Sequence, residues 1–213
     1  AMDDVETVTV ARPERDPAVA IEAMLSETDE PALVMMSSHG RGRAGRAVLG
    51  SVAEAVVARA TDVPVIVVGP AFDPDTFGLD GSVLLAHDNV HSPVVDDVTR
   101  IARACGGYVS MVEVFRTIEP TPYESCSPRV EECGDELRAA GLSVQCESWP
   151  GDDPAEVIVE QAVFQRASFV AVTSRAETGS RLPHRSVGAK VIHNSPVPVL
   201  VMPARPIDDI VQV

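Results

Sequence analysis

Short continuous apolar runs alternate with helix-period stretches along most of the chain, and that alternation predicts its elements. Residues 6–11 read as a strand. A helix follows over 18–26, with Asp16 placed as N-cap and Pro17 at its first position. Residues 32–36 (ALVMM) read as a fully buried strand, 48–60 as a helix and 63–68 (VPVIVV) as a second buried strand. Residues 70–81, PAFDPDTFGLDG, mix proline, glycine and acidic side chains and read as a connector. Beyond them come a strand over 82–87, a helix near 94–104, a strand over 108–115, a helix near 128–140 and a strand at 144–148. Buried strands alternating with helices imply an α/β fold with a parallel sheet covered on both faces.

The chain also repeats itself. Residues 16–39, DPAVAIEAMLSETDEPALVMMSSH, parallel 153–175, DPAEVIVEQAVFQRASFVAVTSR, and VPVIVV at 63–68 parallels VPVLVM at 197–202. Both long segments open on Asp-Pro-Ala, run through a helix and end in an apolar strand closed by serine. Two copies of one supersecondary unit are therefore expected. The first copy matches only the last three strands of the second. The expected organisation is a partial unit over 1–70, a linker over 71–81, a complete five-stranded domain over 82–204 and a tail over 205–213.

Composition narrows the functional classes. A hydrophobic content of 45% suits a folded domain with a real core. The net charge of −15 argues against a nucleic-acid partner, because phosphate binding draws on basic side chains. Of the 17 basic residues only Lys190 is lysine; Arg41, Arg43, Arg46 and Arg59 fall in or near one short segment. The first ten residues lack a signal-peptide pattern, and no apolar run reaches the roughly 18 residues a membrane span needs. The expectation is a cytoplasmic protein with no membrane partner, whose four cysteines are reduced. Cys126 and Cys133, seven apart, are placed for packing on one helix face. His87, Asp88 and His91 run from a strand end into a loop, so their spacing does not set them on one face as metal ligands.

Chemistry concentrates in residues 37–56, SSHGRGRAGRAVLGSVAEAV, where glycines follow an apolar strand and precede a helix. Glycines there let backbone N–H groups approach an anion, and the helix N-terminus adds the positive end of a dipole. This stretch resembles the universal stress protein family, whose pattern is an apolar strand, Gly-x-x-Gly, nine residues, then Gly-Ser or Gly-Thr. Ser37 stands at the first glycine position, Gly40 at the second, and Gly50 and Ser51 form the final pair. The resemblance implies a Rossmann-like parallel sheet of five strands in the order 3-2-1-4-5. It also implies pairing of domains through their last strands and, in one branch, binding of ATP or AMP.

On that resemblance the phosphates would meet Ser37, Gly40, Arg41, Gly50 and Ser51. The adenosine would meet an acidic residue closing strand one. The first copy has no strand one. The second has Asp88 in LLAHD, but Thr173, Ser174, Arg175 and Ala176 stand where its glycines should begin. Strands 63–68 and 197–202 are expected to pair within the chain or across a homodimer. The strand over 6–11 would lie away from 32–36 in this order; pairing with another chain or domain is preferred over direct pairing or a loose segment. The resulting expectation is a stress-response module without significant catalysis. Its rivals are an interaction module with two dead sites and a slow ATP hydrolase.

Overall fold

The computed structural model describes residues 8–28, 32–38, 49–59, 63–88, 91–92, 95–115, 126–174, 186–203 and 205–206. The elements are α1 (Pro17–Ser26), β1 (Val34–Ser37), α2 (Ser51–Arg59), β2 (Val65–Val68), β3 (Val83–His87), β4 (His91–Ser92), α3 (Val95–Ala104) and β5 (Tyr108–Phe115). There follow α4 (Pro128–Ala139), β6 (Ser143–Pro150), α5 (Pro154–Phe164), β7 (Phe169–Ser174), α6 (Val187–Asn194), β8 (Val199–Pro203) and β9 (Arg205–Pro206). The repeated Asp-Pro-Ala gives the same helix start twice. Asp16 accepts a hydrogen bond from Ala18 N at 2.9 Å, and Asp153 accepts one from Ala155 N at 3.1 Å, each with proline opening the helix.

Seven strands form one sheet in the order β1-β2-β8-β7-β3-β5-β6. All neighbours are parallel except β2 and β8, which pair antiparallel with Val65 opposite Val201 and Val67 opposite Val199. β2 thus has β1 on one edge and β8 on the other. The side-chain period of two sorts the core into layers. Val65, Val67, Val170, Val199 and Val201 face α1, α2, α5 and α6. Ile66, Leu85, Met111, Ala171 and Leu200 face α3 and α4.

Residues 70–81 are packed against the sheet. Asp73 N donates to Pro196 O at 3.0 Å, and Phe77 meets Phe169 edge-to-face at 6.0 Å. Gly69 sits where the two units touch: a Cβ built there would lie 1.8 Å from the carbonyl oxygen of Ile192 in α6. Only glycine allows that approach.

Several expectations need correction. Residues 8–11 form no strand, and Val8 and Val10 are exposed. In the expected order such a segment pairs with a strand that has no counterpart before β1 among the described residues, and residues 8–11 do not take up the free edge of β1 instead. β1 is consequently an outer strand. Met35 is 65% exposed, whereas Ala171, its counterpart in the repeat, is 0% exposed beneath the α3–α4 layer. Cys126 precedes α4 rather than sharing its face with Cys133, although both are buried. Residues 205–206, expected in a free tail, pair antiparallel with 91–92. The helix expected over 48–60 begins at Ser51, just after Gly50.

Two predictions follow from packing. Gly69→Ala should lower stability by about 1–3 kcal/mol, because the new methyl group meets backbone that cannot yield. Gly188→Ala, whose Cβ would meet only Val172 Cγ2 at 3.8 Å, should be neutral or stabilising; urea midpoints check both. A further prediction concerns pH. Burial pushes the Cys133 thiol up to about 12, against 9.0 ordinarily. The unfolded chain ionises this thiol first, so stability falls as pH rises from about 9 toward 12, by about 1.4 kcal/mol per unit at most. Urea midpoints recorded from about pH 7.5 to 10.5 should show that decline, and Cys133→Ala should make it shallower, Cys146 (pushed up to about 11) and the other buried thiols keeping the rest.

Candidate functional site

β1 ends at Ser37, and the chain re-enters the described structure at Leu49. Ser38 N donates to Val68 O at 2.8 Å, which fixes the strand end against β2. Gly50 N then donates to Ser38 O at 2.7 Å, and Glu54 N donates to Gly50 O at 2.9 Å. These bonds seat the N-terminus of α2 directly beyond the end of β1. Ser37, Gly50 and Ser51 are thereby brought together. Gly40 and Arg41 lie outside the described residues.

The first-turn amides of α2 are the donors that a helix cannot satisfy internally. Gly50 has no side chain to cap them, and the Ser51 side chain is exposed and makes no hydrogen bond among the described residues. Such an end attracts an anion through its amides and its dipole. One feature opposes this. Glu54, in the first turn of α2, is buried, so an anion arriving here meets a carboxyl group nearby. Sequence spacing did not single Glu54 out, since an acidic residue in a first turn ordinarily faces solvent.

The corresponding end in the second copy differs. Ser186 caps α6, its Oγ accepting from Ala189 N at 3.2 Å, so one first-turn amide is already satisfied. Asp88 closes β3 next to the point where strand order reverses between β3 and β7, the usual ligand crevice of such sheets. It is half-buried and already engaged with a partner.

Asp88 and the Ser37–Gly50–Ser51 group do not share a site. β2 and β8 run antiparallel, so β1 and β3 end at opposite ends of the sheet. Four strand spacings, about 19 Å, separate them sideways as well.

The end of the sheet that holds Asp88 carries a buried polar row that the motif reading missed. His87 on β3 stands opposite Glu113 on β5, which stands opposite Ser148 on β6. Glu113 accepts from Ser127 N at 2.9 Å and from Ser148 Oγ at 3.1 Å, anchoring the start of α4. The only hint in the sequence is a glutamate inside the apolar run YVSMVEVF. Cys126 beside this row has its thiol pushed up by burial, which suits packing rather than nucleophilic attack. Among the described residues no group of three or more His, Cys, Asp or Glu is placed to hold a metal ion.

Residues 2–69 match the model of the Universal stress protein family. No curated protein matches the chain. Among solved structures, a universal stress protein from Archaeoglobus fulgidus DSM 4304 shares 24% identity at a TM-score of 0.64; the match covers 88% of this chain and 66% of that one. A functionally unknown protein from Pseudomonas aeruginosa PAO1 shares 19% identity at a TM-score of 0.53, covering 87% and 66%. A putative universal stress protein from Pseudomonas aeruginosa UCBPP-PA14 shares 19% identity at 0.50, covering 81% and 63%. The chain thus spans 66% of the length of the first two structures it resembles. These likenesses show a shared fold.

The two helix starts make a direct contrast. Ser186→Ala should cost about 1 kcal/mol of stability by removing a helix cap. Ser51→Ala, which breaks no such bond, should stay within about 0.5 kcal/mol; denaturant midpoints measured without ligand distinguish them.

Proposed function

We propose, from the universal stress protein character of residues 2–69, that the chain is a stress-response module whose start of α2 receives the phosphates of ATP or AMP. The observation that carries this reading is the Gly50 N to Ser38 O bond, which sets an open helix N-terminus against the end of β1. Gly50 and Ser51 supply donors, Ser37 lies at the strand end, and Gly40 and Arg41 fall between them in the sequence. The adenosine side of this half-site has no acidic residue of its own, because Asp88 serves the opposite end of the sheet. Affinity is therefore expected to be modest.

Binding without turnover is the favoured reading over a slow hydrolase. The β2–β8 pairing is taken as the contact between domains, since both edges of each strand are filled within the chain. A homodimer through the same two strands is the weaker alternative. No described helix is long and apolar enough to cross a membrane, and a cytoplasmic location accompanies this reading. Should neither copy bind nucleotide, the chain is an interaction module.

Thermal unfolding with ATP, ADP and AMP tests the proposal. A ligand at a hundredfold excess over its Kd adds about 2.7 kcal/mol of stability, a readable shift. Gly50→Val should abolish the shift, and Arg41→Ala should reduce it. No shift at millimolar nucleotide overturns the binding reading and leaves the interaction module. A shift that survives Gly50→Val places the nucleotide elsewhere, and release of phosphate from ATP would restore the hydrolase.

A further inference from the structure

A groove of about 650 Å³ opens at the end of the sheet where β3, β7 and β8 begin. It lies between residues 73–80, the last turn of α5 and the loop preceding β8. Its volume is in the range that takes a small organic ligand. Ala162, Ala167, Pro196 and Val197 give it an apolar floor. Arg166 borders it from α5, and Asp73 and Asp80 border it from the connector.

Arg166 is the feature that asks for a reason. Three helices end in the same turn, in which the second residue past the helix takes a left-handed conformation. After α3 that residue is Gly106 (φ 90°), and after α4 it is Gly141 (φ 86°). After α5 it is Arg166 (φ 51°), the one non-glycine residue with positive φ among those described. The closing bonds match: Gly107 N to Ala102 O, Leu142 N to Leu137 O and Ala167 N to Ala162 O, at 2.7, 3.2 and 2.9 Å. Glycine would meet this backbone without strain, so the arginine stands here against local preference.

Its side chain does not compensate inside the fold. The Arg166 guanidinium is exposed and takes part in no hydrogen bond or ion pair among the described residues. Neither Asp73 nor Asp80 pairs with it. Asp73 Oδ1 accepts only from Asp75 N, at 3.1 Å. One cation and two carboxylates thus border an apolar floor without neutralising one another. Val163, which also lines the groove, is 59% exposed and extends the apolar floor outward.

We propose that this groove binds a short apolar peptide with free termini. Its C-terminal carboxylate would lie on Arg166 and its N-terminal ammonium on Asp73 and Asp80. The apolar side chains would lie along the floor toward Val163. A carboxylate–guanidinium pair gives two parallel hydrogen bonds, and the acidic pair selects against a ligand that is simply anionic. The net charge of −15 disfavours such an anion further.

The test uses the free tripeptide Ala-Leu-Ala, its N-acetyl form and its C-terminal amide, each followed by titration calorimetry and thermal unfolding of the full chain. The free tripeptide should bind, and each blocked form should bind at least about tenfold more weakly, the loss of one charged hydrogen bond. Arg166→Gly separates a structural role from a binding role. It removes the left-handed strain, so the unliganded variant should unfold about 2–4 °C higher while losing the peptide response. Asp80→Asn should weaken the free peptide but leave the N-acetyl form unchanged. Absence of heat and of thermal shift at about 10 mM tripeptide, a concentration that would reveal even millimolar affinity, overturns the proposal. So does binding that survives Arg166→Gly or that ignores both blocking groups.

Discussion

Antiparallel pairing of β2 with β8 is the contact on which the rest of the molecule depends. It joins a fragment of two helices and two strands to a five-stranded unit through backbone hydrogen bonds, and so makes one seven-stranded sheet. The pairing is close enough that α6 lies over the end of β2, with the Ile192 carbonyl occupying the space a side chain at residue 69 would need. It also sets direction. Every strand on one side of the seam points opposite to every strand on the other, so equivalent ends of the two copies face opposite ways.

That reversal governs what each end of the sheet can do. The open start of α2 and the carboxylate of Asp88 belong to different ends of the sheet. The first copy keeps a helix N-terminus free of a side-chain cap but has no strand beyond β1. The second keeps its first strand but closes its helix start with Ser186. The same reversal carries the connector from the end of β2 to the beginning of β3 along one end of the sheet. There it forms a wall of the groove beside Arg166.

The edge at β1 shows what a missing neighbour costs. Val34 and Met36 pack toward α1 and α2, but the other face carries Met35 in solvent. In the second copy the matching face is covered by the α3–α4 layer, and Ala171 is fully buried. A four-residue strand limits the exposed length of this edge, a common way of blunting strand-to-strand association.

Local rules sufficed where the determinants are adjacent in the chain. Asp-Pro-Ala specified two helix starts, continuous valine-rich runs specified buried strands, and glycine spacing marked the approach to α2. The repeat revealed the two copies because matching units need matching patterns of burial. What these rules left open concerned groups brought together across long separations. Residues 8–11 look like a strand by alternation, but a strand exists only beside a partner, and these residues join neither edge of the sheet. Glu54 and Glu113 look like ordinary surface carboxylates until packing buries them. Arg166 looks like one arginine among many until the turn after α5 fixes its backbone and the connector folds beside it. The sequence by itself determined the units, through side-chain period and capping. Only the tertiary structure decided their relative direction, because that rests on which strand edges meet.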